Sequence, residues 1–181
     1  ALSFFFQAML SLLQYVASTE ALQQIVFWSM GSLTRANWAA NGVLAAVLII
    51  ALPILWALSW RLTALRLGDA RATAMGINTS RLRVVVLIVV SLVAATTVAF
   101  AGIIGFIGLV GPHIARMLVG EDQRYFLPAS MAAGAAVMCA AHAVSLMIKP
   151  GLAIPIGIVT SLLGVPFFIA IVMTRRRALW T

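Results

Sequence analysis

The chain has 181 residues, of which 64% are hydrophobic and only 9% charged, and its net charge is +8. A water-soluble domain has about 25% charged residues, so this composition excludes an ordinary soluble fold and indicates that lipid covers much of the surface. The basic residues flank apolar stretches, which membrane topology explains better than nucleic-acid binding does. The single cysteine, Cys139, excludes a disulfide framework within the chain and is expected to be a small buried side chain.

Long uncharged stretches divide the chain into predicted membrane crossings. The four acidic residues all lie between these stretches, at Glu20, Asp69, Glu121 and Asp122. A helix needs roughly 20 mostly apolar residues to cross a bilayer. We therefore predict an all-α, polytopic transmembrane helical bundle with six crossings, at about 1–17, 41–60, 83–101, 105–119, 126–147 and 153–174. Because the chain starts inside an apolar stretch, we expect it to be a fragment.

The first span and the segment after it contain polar and aromatic candidates for a solute path. Gln7 lies within an apolar stretch, where an amide is costly unless it meets water or a polar partner. Gln23 belongs to the same group of polar exceptions just beyond the span. Trp28 is expected in the aromatic belt at the membrane interface, and a stacking surface for an aromatic solute is the alternative.

The stretch from residue 84 to 115 is long for one crossing and short for two. One crossing would divide the twelve basic residues six against six between the two sides. Two crossings would put ten of the twelve on one side, as expected for a cytoplasmic face. Gly102 and Gly105 also weaken the helix here, so we predict that the chain reverses near 102–105. Close helix packing at these glycines is the alternative explanation.

The segment 61–83 is expected to be an ordered cytoplasmic loop, together with the C-terminus, while 18–40 and 148–152 face outside. Asp69 is a predicted N-cap for a short helix over 70–75, and Gly76 fits the left-handed position that ends a helix. Residues 78–80 supply cap candidates for the next helix. We expect Ala72, Met75 and Ile77 to be exposed and to invite a protein partner. A solvated hairpin with snorkelling arginines is the alternative.

Four sequence blocks resemble one family of membrane proteins. They are LRLGDARATAMGIN (65–78), GIIGFIGLVGPHIARMLVGED (102–122), PIGIVTSLLGVPFFIAIVM (155–173) and QQIVFWSMGSL (23–33). In this order they are similar to the FecCD-type permeases of ATP-binding-cassette importers, which take up iron chelates, haem and cobalamin. The first block looks like the coupling-helix segment of that family.

The resemblance implies the architecture of a larger assembly. Members have about ten transmembrane helices, so residues 1–181 would be the C-terminal half of a single transmembrane permease domain, with 61–82 as its coupling loop. It implies a second permease subunit, identical or homologous, two cytoplasmic ATPase subunits and an extracytoplasmic binding protein, in the bacterial inner membrane. The most favoured solute is an iron-siderophore or a related metal chelate.

The resemblance also implies roles for individual residues. The positions carried over for ATPase coupling are Leu67, Gly68, Asp69, Ala72 and Gly76. Many members have an Asp, an Arg and a Glu near the outer end of the last helical pair, where this chain has only Lys149. Lys149, together with Arg35, is therefore the candidate contact for the acidic residues of a binding protein.

The sequence offers no catalytic chemistry of its own. It lacks the phosphate-binding pattern GxxxxGK[ST] and any Ser/His/Asp or Cys/His arrangement, so ATP hydrolysis is expected in a separate subunit. His113 and His142 lie in different spans, and no metal site or cofactor is predicted. An ion-coupled secondary transporter and a passive channel or structural subunit are the alternative functions. The lack of intramembrane carboxylates argues against ion coupling.

Overall fold

The computed structural model describes residues 2–148 and 154–177, and every regular element within them is a helix. The helices are α1 (Leu2–Val16), α2 (Thr19–Ser29), α3 (Trp38–Ala57), α4 (Ser59–Leu65), α5 (Asp69–Ala74), α6 (Thr79–Ala101), α7 (Ile107–Val119), α8 (Gln123–Ile148) and α9 (Ile156–Arg177). The predicted all-α bundle is therefore confirmed. The predicted span 41–60 is divided between α3 and the short α4.

Three helices in the described part of the chain are long and apolar enough to cross a membrane. These are α3, α6 and α8, with mean hydropathies of 2.2, 2.7 and 1.8. Two shorter apolar helices are α1 (Leu2–Val16) and α7 (Ile107–Val119), and α9 is apolar over Ile156–Ile169. All six lie where a crossing was predicted; α1 and α7 are shorter than a full bilayer span, whereas α9 has 22 residues.

The chain reverses direction between α6 and α7, as predicted. Gly102 ends α6 with a φ of +77°, and its amide donates to the carbonyl oxygen of Val98 at 2.9 Å. Phe106 then precedes α7 in the left-handed region, at φ +66°. A left-handed non-glycine residue costs roughly 1–2 kcal/mol, so its surroundings must hold it there. The Phe106 ring packs against Gly164 of α9, where a Cβ atom would overlap it.

Small residues bring α7 and α8 together into the most extensive helix pair of the described bundle. A Cβ atom at Gly111 would lie 3.1 Å from both the Cα atom of Gly134 and the carbonyl oxygen of Ser130. Both glycines are buried. In helices surrounded by lipid, such close backbone approach supplies much of the packing energy. The α7–α8 pair and α9 form one part of the bundle, and α3 packs on α6 beside it.

The two ends of the bundle contain different parts of the chain. At one end, α4 contacts the start of α8, and Arg66 forms an ion pair with Glu121. At the other end, the amide of Ser32 donates to the carbonyl oxygen of Ala101 at 2.8 Å. Residues 61–83 and 116–124 thus share an end, which is the arrangement that two crossings within 84–119 require.

Candidate functional site

Residues 65–78 form a compact helical hairpin at the arginine-rich end of the bundle. Gly68 opens it at φ +97° and Gly76 closes it at φ +80°, and only glycine adopts these angles without strain. The side chain of Asn78 then caps α6 by accepting from the amide of Arg81 at 2.9 Å. The predicted short helix, its glycine end and the cap of the following helix are all confirmed.

The predicted capping role of Asp69 is wrong. Gly68 occupies the N-cap position, Asp69 is the first residue of α5, and no side chain caps this helix. The Asp69 carboxylate instead accepts from Nη2 of Arg83 at 2.6 Å. The hairpin turns back towards α6, so a guanidinium from the first turns of α6 reaches the carboxylate. This ion pair ties α5 to α6.

The expected exposure of the hairpin is only partly correct. Ala72 is 0% exposed and Ile77 6%, so the prediction is wrong for both. They pack with Ala64 and Leu82 because the turn at Gly76 folds α5 onto α4 and α6. Met75 is 48% exposed, as predicted.

The exposed part of the hairpin combines apolar and polar groups. Leu67 is 56% exposed and lies directly before Gly68, while Met75 lies at the other end of α5. The Asp69 side chain is 54% exposed between them. Leu67, Gly68, Asp69 and Gly76 are all exposed, and together with Met75 we call them the hairpin surface. Ala72 does not belong to this surface, because it is buried against α4 and α6.

A second set of contacts, which the sequence did not reveal, fixes the α7–α8 loop beside the hairpin. Glu121 pairs with Arg66, and the Nε atom of Arg116 lies 3.4 Å from its Oε1 atom. The amide of Gln123 donates to the hydroxyl of Thr63 at 3.0 Å. We call these residues the loop clamp. The scarcity of acidic residues was the available clue, because few carboxylates were present to pair with so many arginines.

At the opposite end, the outer candidates are only partly brought together. Gln23 and Arg35 line one cleft of about 520 Å³, together with Glu20, Gln24 and Phe27. Gln7 is exposed on α1 and is not among the residues that line this cleft. Lys149 lies outside the described residues.

Trp28 links α2 to the end of α6 through a hydrogen bond. It is half-buried, and its indole nitrogen donates to the carbonyl oxygen of Ala99 at 3.3 Å. It also lines a cavity of about 300 Å³ that Arg35 borders. The hydrogen bond gives this residue a structural role in addition to any contact with lipid or solute.

Three glycines allow backbones to meet at this outer end. A Cβ atom at Gly31 would lie 2.7 Å from the carbonyl oxygen of Ile103, and one at Gly102 would overlap the carbonyl oxygen of Trp28. A Cβ atom at Gly157 would overlap the carbonyl oxygen of Met30, which accepts from the Gly157 amide at 3.1 Å. We call this meeting of α2, α6 and α9 the outer junction.

The surroundings of His113 and Cys139, as far as the structure describes them, give no evidence of a functional site. His113 contacts Phe167 edge to face, with ring centroids 5.9 Å apart. No group of three or more His, Cys, Asp or Glu residues that could hold a metal ion occurs in residues 2–148 and 154–177. Cys139 is exposed on α8, so the expectation that it is buried is wrong.

Comparison with known proteins identifies the family. The chain matches the model of the FecCD transport family over residues 1–174. The chain therefore belongs to the FecCD transport family, and the resemblance seen in its sequence blocks is confirmed. Together with the long apolar helices α3, α6 and α8, this membership makes it a membrane protein.

Individual relatives show how much of a complete protein is present. The chain is 39% identical over 177 residues to the molybdate import system permease protein MolB of Haemophilus influenzae, covering 97% of this chain and 52% of that protein. It is 36% identical over 170 residues to the hemin transport system permease protein HmuU of Yersinia pestis, covering 93% and 51%. The chain spans about half the length of these curated relatives.

A solved structure has the same fold. It is an inward-facing ABC transporter assigned to the metal-chelate type, and it matches with a TM-score of 0.89 at 39% identity. The match covers 95% of this chain and 57% of that one. The membrane helical fold of an ABC transporter permease is therefore shared over nearly the whole described chain.

Proposed function

We propose that this chain forms part of the membrane permease subunit of an ATP-driven importer, with the hairpin surface as the contact for an ATPase subunit. The observation that carries the proposal is the pair of exposed apolar side chains, Leu67 and Met75, presented on a hairpin whose interior is packed. A packed hairpin moves as a unit, so force applied at its surface reaches α4 and α6 directly. Membership of the FecCD family supports this role.

The proposed assembly lies at the bacterial inner membrane and contains permease subunits, ATPase subunits and a binding protein. A second permease subunit, identical or homologous, completes the solute path, and two cytoplasmic ATPase subunits hydrolyse ATP. An extracytoplasmic binding protein delivers the solute to the outer end. Arg35 and Lys149 are the proposed cations for that binding protein, and Gln7, Gln23 and Trp28 the proposed path residues.

The proposed solute is an iron-siderophore or a related metal chelate. A hemin permease protein among the relatives and the metal-chelate type of the similar structure support this class. Uptake of a ferric siderophore, hemin and molybdate by the full-length permease with its partners would rank the three. Preferred uptake of molybdate would contradict the chelate proposal and leave the importer proposal standing.

The coupling role is tested by removing the apolar groups of the hairpin surface. In the full-length transporter, the double variant Leu67→Ser, Met75→Ser should lose most ATPase co-purification and ATP-dependent uptake. Both side chains are more than a third exposed, so folding should be little affected. Tyr125→Ser is the matched control, because Tyr125 is 65% exposed at the same end of the bundle but outside the hairpin. Equal loss in the control, or none in the double variant, would contradict the proposal.

The energy source separates this function from its alternatives. Uptake should stop when ATP is depleted and continue when an uncoupler removes the proton gradient. The opposite pattern would identify an ion-coupled secondary transporter. Solute flow that continues under both treatments would identify a passive channel.

A further inference from the structure

A cleft of about 470 Å³ lies beside the hairpin, between α4 and the beginning of α6. Trp60 and Arg61 of α4 line one wall, and Arg81, Leu82 and Val85 of α6 line the other. It is separate from the loop clamp, whose residues do not line it. Met75 and Gly76 of the hairpin surface border this cleft, but the function proposed above makes no use of Arg61 and Arg81.

The two arginines of the cleft have no acidic partner among the described residues. Within the described residues, Arg66 and Arg116 pair with Glu121, and Arg83 pairs with Asp69. Arg61 and Arg81 form no such pair there, and both are exposed. The Arg61 guanidinium lies 5.7 Å from the ring centroid of Trp60, a contact that leaves its charge uncompensated. The cleft therefore has the electrostatics of an anion site.

The remaining lining gives the cleft an apolar side. Leu82 and Val85 line the cleft from α6, and Leu58 lines it from the junction of α3 and α4. Val85 is six residues beyond Thr79, the first residue of α6, which places it about 9 Å along the helix axis at 1.5 Å per residue. The cleft thus has charged side chains at its mouth and apolar side chains towards the bilayer. This combination suits an amphiphilic ligand better than a free anion.

We infer that Arg61 and Arg81 bind the phosphate group of an anionic phospholipid of the cytoplasmic leaflet, with an acyl chain along the half-buried Leu58 and Val85. Basic pockets between transmembrane helices on the cytoplasmic side have the chemistry that such headgroups need. Trp60 supplies the amphipathic ring typical of the membrane interface. The inference rests on the membrane orientation of the proposed function, and its two binding residues, Arg61 and Arg81, lie outside the hairpin surface.

The bound lipid also has a structural consequence. Met75 and Ile77 line the same cleft, so an occupied cleft braces the hairpin from its α6 side. Ile77 is 6% exposed and belongs to the hairpin interior. The order of the hairpin should therefore depend on the charge of the surrounding lipid.

The test uses the full-length permease in nanodiscs that contain phosphatidylcholine with increasing cardiolipin or phosphatidylglycerol. Native mass spectrometry should find retained anionic lipid on the wild type, and Arg61→Gln, Arg81→Gln should reduce its apparent affinity about tenfold or more. Arg124→Gln is the matched control, since Arg124 is exposed at the same end of the bundle but does not line the cleft. Equal retention by wild type and double variant, or equal loss in the control, would overturn the inference.

Two further arms identify the occupant. Millimolar inorganic phosphate should not displace the lipid; displacement by phosphate would mean that the cleft binds a free anion. In purely phosphatidylcholine nanodiscs, which contain no anionic lipid, Arg61→Gln, Arg81→Gln should bind the ATPase partner as well as the wild type does. Loss of ATPase binding with unchanged lipid retention would assign the cleft to the protein interface instead. Lipid retention is measured without solute or ATP, so failure here is distinguishable from failure of the importer proposal.

Discussion

At the scale of single residues, the outer junction depends on the absence of side chains. A Cβ atom added at Gly157 would overlap the carbonyl oxygen of Met30 and lie 3.1 Å from that of Ile103, so even a methyl group has no room. Backbone atoms cannot move aside as flexible side chains can. Position 157 therefore tolerates glycine alone for a packing reason.

Replacing Gly157 tests this packing. Gly157→Ala should destabilise the protein by about 1–3 kcal/mol, because the added methyl group forces α2 and α9 apart. Thermal unfolding of the full-length permease in detergent, followed by size-exclusion chromatography, measures the change. Gly108→Ala is the control: like Gly157 it is the second residue of its helix, but nothing described lies within 4 Å of its added Cβ. A stability loss in the control as large as that of Gly157→Ala would contradict the explanation.

The Asp69–Arg83 ion pair positions α5 against α6 but is expected to add little to the stability of the protein. Both side chains are 54% exposed, and solvent screens such pairs. Asp69→Asn should therefore lower the free energy of unfolding by no more than about 1 kcal/mol. A double-mutant cycle with Arg83→Gln, read by thermal unfolding at low and high salt, isolates the pair. A coupling energy of several kcal/mol that salt does not reduce would be inconsistent with this prediction.

At the scale of helices, a buried hydroxyl adds a hydrogen bond to the apolar packing between α8 and the start of α9. Ser145 is 1% exposed, and its Oγ atom donates to the carbonyl oxygen of Ile154 at 2.5 Å. The same helix contains a contrasting serine. The buried Oγ atom of Ser130 has no hydrogen-bond partner within the described residues.

These two serines form a matched pair of variants. Ser145→Ala should cost about 1–3 kcal/mol, because it leaves the Ile154 carbonyl without its donor. Ser130→Ala should be neutral or slightly stabilising, because it removes an unsatisfied polar atom. Thermal unfolding of both variants checks the difference. Equal effects would mean that helix packing, rather than the hydrogen bond, holds α8 to α9.

The loop clamp predicts a local effect at the other end of α8. Glu121→Gln removes the charge that attracts Arg66 and Arg116, so the α7–α8 loop should open more often. Hydrogen exchange at the Gln123 amide, which donates to Thr63, should then become several-fold faster. Exchange in the outer junction should not change. Unchanged exchange at Gln123 would show that the hydroxyl of Thr63 alone fixes the loop.

At the scale of the whole molecule, the reversal at 102–106 decides which ends of the helices share a face. Residues 66 and 121 meet at one end, and residues 32 and 101 at the other. The positive-inside rule then predicts that the arginine-rich end of the bundle faces the cytoplasm.

Cysteine labelling tests this topology in a cysteine-free background of the full-length protein. Single cysteines introduced at Arg71 and Asp122 should react with a membrane-impermeant thiol reagent only from the cytoplasmic side. A cysteine at Arg35 should react only from outside. All three positions are exposed, so access within each loop should not limit the reaction. Labelling of positions 71 and 122 from opposite sides would contradict the double crossing.

The sequence by itself determined the features that depend on neighbouring residues along the chain. Apolar stretches specify helices in lipid, because hydrocarbon offers no partner for an open backbone. Gly76 and Gly102 marked chain reversals because their left-handed angles are a local property of glycine. The hairpin and the double crossing could therefore be predicted without tertiary information.

Only the tertiary structure decided which distant groups meet. Asp69 pairs with Arg83 instead of capping its own helix, and Ala72 and Ile77 are covered by α4 and α6. The hydrophobic pattern of so short a helix cannot distinguish a face covered by the chain itself from one left for a partner. The loop clamp and the basic cleft likewise required the positions of helices far apart in sequence, because charges interact through space and not along the chain.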